Sequence, residues 1–233
     1  MSFVQKNTVT AGLGVTSLSS SLTGVTAGNL VILTIAWDVN GGSTGPSLDG
    51  TAVAAGWLVA ENPAGVVSTG NSGWDTGVSI FYLQNAASGT RTVNVTFPNS
   101  TRANTLLSEF SGYATSGAKD QVATNNVASG TSLTVTSGTT TVATELVIAA
   151  VAQCFVLGNG NNTVSDPPTG YTSLAVLQDT NTYASFEFAY KEVSSTGTQS
   201  ATWTWASTGE GIASIATFST STVTDTLFAQ AIL

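Results

Sequence analysis

Apolar and small polar residues alternate along most of this chain with a period of two, the spacing that sends successive side chains to opposite faces of a strand. Arg91–Phe97 puts Val93, Val95 and Phe97 on one face and Thr92, Asn94 and Thr96 on the other. Ser200–Trp205 sets Ala201, Trp203 and Trp205 against Thr202 and Thr204, and Ser185–Tyr190 gathers Phe186, Phe188 and Tyr190 on one side. On this parity Trp203 and Trp205 are core residues, while Glu187 and Lys191 fall on the polar side and form a solvated face. Gly, Asn, Ser and Pro bound the runs, and no segment carries a helical period with caps. The chain reads as all-β, an antiparallel β-sandwich of the jelly-roll or Ig-like kind.

The same pattern occurs twice. GVTSLSSSLTGVTAGNLVILTIAW (Gly14–Trp37) matches GTSLTVTSGTTTVATELVIAAVAQ (Gly130–Gln153) at an offset of 116, which also brings Gln5 onto Gln121. Gly56-Trp57 corresponds to Gly170-Tyr171, and SGTRTVNVTF (Ser88–Phe97) matches TGTQSATWTW (Thr196–Trp205) at 108. LLSEFS (Leu106–Ser111) matches SIATFS (Ser214–Ser219) at 108 as well, so Phe110 falls on Phe218. Internal duplication follows, with a sandwich repeat at 1–115, a second at 116–222 and a tail strand at 223–233. The offset shrinks between matched strands, so the length differences lie in loops: Asp38–Ala55 against Cys154–Thr169, and Asn62–Asp75 against a much shorter connection. Long loops on such a scaffold are the candidate binding segments. The apolar end of the tail expects cover, either from the chain's own sheet or from a neighbouring subunit.

Charge then narrows the function. Only 8% of residues are charged, and five basic against thirteen acidic ones give a net charge of −8. That field repels phosphate backbones and anionic lipid, so neither nucleic acid nor membrane is an expected partner. The longest apolar run, Leu30–Trp37, is too short to cross a bilayer as a helix, and the first residues lack the pattern of a signal peptide. A lone Cys154 forms no internal disulfide, which fits synthesis in a cytoplasm.

Histidine is absent, which removes the common general base and the commonest metal ligand. Cys154 consequently has no histidine to activate it and reads as an inert thiol. Two carboxylates suffice for glycoside hydrolysis, but the acids do not pair in sequence, and Glu109 is a candidate acid without an evident partner. No catalytic residue and no cofactor are expected. Asp38, Asn40 and Asp49 share a glycine-rich loop whose oxygens are a weak candidate for Ca²⁺; the same residue types also form ordinary turns. Trp57 matches Tyr171 and is structural, whereas Trp74 lies in a loop missing from the second repeat, so the scaffold does not require it. Trp74 is the candidate ligand-binding aromatic.

TAGNLVILTIAWD (Thr26–Asp38), GWLVAE (Gly56–Glu61), SGTRTVNVTF and LLSEFSGY (Leu106–Tyr113) resemble Gly/Thr-rich β-sandwich proteins of tailed phages and bacterial surfaces. The resemblance covers nearly the whole chain and rests on strand ends and turns, so it carries over no site residues. It implies a non-enzymatic virion structural protein, such as a capsid decoration (cement) or fibre protein. The partners it implies are a major capsid protein, other virion subunits and further copies of the same chain. The alternative is a carbohydrate-binding module or adhesin, with a glycan held by Trp74 and the Asp38–Ala55 loop.

Overall fold

The computed structural model describes residues 1–40, 45–49, 56–61, 66–67, 74–155, 163–178 and 184–220. The expected tail strand at 223–233, and much of the Asp38–Ala55 and Asn62–Asp75 loops, lie outside them. The described residues form strands and no helix. The first half gives β1 (Ser2–Val25), β2 (Leu30–Asn40), β3 (Ser47–Leu48), β4 (Leu58–Glu61), β5 (Val66–Val67), β6 (Trp74–Leu83) and β7 (Gly89–Ser111). The second gives β8 (Lys119–Thr139), β9 (Thr144–Phe155), β10 (Thr172–Gln178), β11 (Ala184–Ser194) and β12 (Thr198–Ser219).

Each half makes one antiparallel sheet. The first runs β1-β7-β2-β6-β4, with β3 on β7 and β5 on β6; the second runs β8-β12-β9-β11-β10. Leaving out the two-residue β3 and β5, both orders are first, fifth, second, fourth, third. The runs that the sequence separates at Ser88–Phe97 and Leu106–Ser111 are one strand, β7, of 23 residues. Its partner β1 has 24 residues, and β8 and β12 have 21 and 22. Register shifts interrupt β1–β7 between Ala11 and Ser17, and β12–β8 between Thr204 and Gly211. Such irregularities bend a ribbon, and the outer part of each ribbon here lies back over its own sheet.

The outcome is three apolar cores in place of the two that two separate sandwiches would have. Leu18, Leu22, Val93 and Val95 of the first ribbon pack on Val31, Leu33, Ile35 and Trp37 of β2. Leu133, Val135, Ala201 and Trp203 of the second pack on Val147, Ala149 and Val151 of β9. Between the sheets, Leu30, Ile32 and Phe110 meet Leu146, Ile148, Phe188 and Phe218. Both faces of β2 are therefore buried, which is why Leu30–Trp37 is a nearly continuous apolar run and not an alternating one.

The middle core joins the two halves through aromatic contacts. Tyr82 meets Phe218 at 5.3 Å and 61°, while Phe110 meets Tyr190 at 5.4 Å and 64°. At the offset of 108 Tyr82 corresponds to Tyr190 and Phe110 to Phe218, so this is one contact made twice with the halves exchanged. Asp38 and Cys154 are counterparts at offset 116, and the Cys154 Sγ lies 3.9 Å from the Asp38 Oδ2.

Candidate binding cleft

The three oxygen-bearing residues proposed for Ca²⁺ do not share surroundings. Asp38 lies inside β2, fully buried, facing the other sheet, and accepts a hydrogen bond from the Arg102 Nη1 at 2.9 Å. Its carboxylate is thus the partner of a buried guanidinium. Asp49 follows β3 on the outer layer, where its Oδ1 accepts from the Asn94 backbone N–H at 2.9 Å and the Asn94 Nδ2 at 3.0 Å. On β7 the neighbours of the two are eight residues apart, since 102 − 94 = 8. Asn40 pairs with Trp74 where β2 meets β6; the side chains of both lie outside the described residues. No group of three or more acidic, Cys or His side chains suited to a metal ion occurs among the described residues.

The carboxylates are placed differently from the sequence reading. Glu109 is buried, and its two oxygens accept from the Gln5 Nε2 at 2.6 Å, the Thr26 N–H at 2.8 Å and the Asn29 Nδ2 at 2.6 Å. Three donors anchor its carboxyl group in place. At offset 116 Asn29 corresponds to Glu145, and at 108 Glu109 corresponds to Thr217. The second half therefore keeps a carboxyl group in this place but carries it on the other strand. There Glu145 is buried beside Asp120. Burial first, and the contact with Asp120 second, push its pKa up to about 7. Burial also opposes the charge on Asp120, but its hydrogen bonds with Glu145, Thr141 and Gln121 outweigh that and lower its pKa.

Glu187 is not on a solvated face. It is fully buried on β11 under the second ribbon, where the Trp203 Nε1 donates to its Oε2. Burial, then a contact with the Asp166 carboxyl, raise its pKa to about 9. Lys191, two positions along the same face, lies 4.5 Å from the centre of the Tyr171 ring, and burial lowers its pKa. Trp203 and Trp205 are core residues, and Trp57 and Tyr171 are buried at matched places, as the repeat implies.

An open recess occurs where the end of the Cys154–Thr169 loop meets the second ribbon. The Ser165 N–H donates to the Thr204 carbonyl at 2.8 Å, and the Thr204 N–H donates to the Ser165 Oγ at 3.0 Å. Val164 and Pro168 are buried beneath this turn. Between turn and strand lies a cleft of about 470 Å³ lined by Ser165, Pro167, Pro168, Thr169, Ser200, Thr202 and Thr204. The strand hydroxyls are held from the neighbouring strand: Thr202 Oγ1 lies 2.8 Å from Thr134 Oγ1, and Ser200 Oγ lies 2.8 Å from Thr136 Oγ1. The sequence marks the loop as a candidate but not these strand residues. Their signal is the same alternation that buries Ala201 and Trp203, read on its polar phase.

No protein-family model matches the chain, and neither a curated protein nor a solved structure does.

Proposed function

We propose that this chain is a non-enzymatic structural protein of a phage virion, a capsid decoration (cement) protein that binds and stabilises the shell. The observation that carries the reading is the character of the two outer layers. Along β1 and β7 the exposed phase pairs Ser19 with Asn94 and Ser21 with Thr92; along β8 and β12 it pairs Thr134 with Thr202 and Thr136 with Ser200. These short, uncharged side chains lose little rotamer freedom when covered, and they do not repel a second copy or an acidic shell as rows of carboxylates would. The resemblance to Gly/Thr-rich sandwich proteins of tailed phages points the same way, and so does the burial of Glu145 and Glu187. The partners of this reading are the major capsid protein and neighbouring copies of the chain.

Mass spectrometry of particles purified from the source tests it. The expected result is this chain in fixed proportion to the shell protein, with chain-stripped particles less resistant to heat and rescued by adding the purified protein. Absence of the chain from particles, or recovery only in traces, refutes the role.

A further inference from the structure

We propose that the cleft between the 165–169 turn and β12 binds a neutral saccharide, a function independent of the structural role above. Its volume of about 470 Å³ falls in the range of small-molecule sites. Five of its seven lining residues carry hydroxyls, Pro167 and Pro168 add flat apolar ring edges, and no charged side chain lines it. A hydroxyl both donates and accepts, so a row of them matches a ligand that alternates O–H groups with C–H faces. The net charge of −8 disfavours an anionic ligand at a wall that offers no cation.

The walls are set before a ligand arrives. Thr134 and Thr136 fix the Thr202 and Ser200 rotors at 2.8 Å each, and each hydroxyl keeps capacity for a further bond. The paired Ser165 and Thr204 contacts hold the turn against the strand, so little ordering entropy is lost on binding. The other half is a built-in control. There offset 108 places Asn94 at the position of Thr202, and Asp49 already occupies both its backbone and side-chain amides. One site per chain follows, in the second half, with a Kd of roughly 0.1–1 mM for so open a cleft.

The test is an amide-resolved NMR titration of the full chain with maltohexaose, cellohexaose and mannohexaose, and with an oligogalacturonate as the acidic arm. Expected are saturable shifts at Thr169, Ser200, Thr202 and Thr204 with one neutral oligosaccharide. In Thr202→Val the affinity falls about tenfold or more while the melting temperature holds, and Trp74→Ala binds as the wild type does. The proposal is overturned if no neutral oligosaccharide moves these amides at about 10 mM, if only the acidic arm does, or if Trp74→Ala abolishes the shifts. Particle composition is unaffected by any of these outcomes, so the two proposals fail separately.

Discussion

Glu187→Gln should make the protein more resistant to alkali. In the folded chain burial holds the Glu187 proton, raising the pKa from 4.5 to about 9. Between those values the unfolded chain has lost a proton that the native chain still binds, so stability falls as pH rises. The contribution is full below pH 4.5, declines through the interval and is gone above about 9. Integrating between pH 6.5 and 9 gives a loss of about 3 kcal/mol from this one group. Gln keeps an oxygen for the Trp203 Nε1 and has nothing to ionise, so the variant should match the wild type below pH 4.5 and already be the more stable by about 3 kcal/mol at pH 6.5. Urea denaturation of both proteins at the two pH values checks this, and the difference between them cancels the repulsion that grows on the whole acidic molecule. At 2–4 °C per kcal/mol for a chain of this size, the gap in melting temperature should widen by about 6–12 °C between pH 6.5 and 9. Equal losses in the two proteins would refute the buried, protonated assignment of Glu187.

Glu145→Gln should flatten a lower window, since a carboxyl raised from 4.5 to about 7 loses about 2 kcal/mol between pH 5 and 7.5; the same denaturation series reads it. Arg102→Ala removes the guanidinium from the buried Asp38 carboxylate and should cost about 3–5 kcal/mol at pH 7 by the same assay. Phe110→Ala and Phe218→Ala occupy equivalent places in the middle core and should each cost about 3–5 kcal/mol by the same assay. A large difference between the two would count against their equivalence.

The strand phases were legible because alternation records which side chains share a face. Val93 with Val95, Trp203 with Trp205 and the matched pair Phe110 and Phe218 all lie in cores as the pattern implies. What alternation does not record is how many layers cover a sheet. In a two-layer sandwich the polar phase of a strand means solvent, and Glu187 read on that rule is exposed. Here the bent ribbon covers the outer face of β9, β11 and β12 as well, so the polar phase of β11 is also interior and Glu187 is buried. Asp38 misleads for the same reason: it looks like the first residue of a loop, yet β2 continues past it between two layers. The warning was present in Leu30–Trp37, an apolar run without alternation, which only a strand buried on both faces requires. The cleft was half legible, through its loop, because the strand hydroxyls that complete it belong to an element the loop reaches only in space.

At positions that the offsets match, the two halves carry different buried polar groups. Asp38 and Arg102 of the first half are answered by Cys154 and Glu210 of the second, by the offsets 116 and 108. At the edge, Asn29 and Glu109 are answered by Glu145 and Thr217. In the first half each buried carboxylate meets donors: Asp38 has a guanidinium, and Glu109 has two side-chain amides and a backbone N–H. In the second half Glu145 and Glu187 each meet another carboxyl group, and such a contact becomes a hydrogen bond only when one of the two holds a proton. The raised pKa values of Glu145 and Glu187 make the second arrangement sensitive to pH. Sensitivity to alkali therefore resides in the half that also carries the cleft, and the 163–170 turn, which supplies Asp166 to the Glu187 contact and Ser165 to the cleft wall, is the segment that connects them.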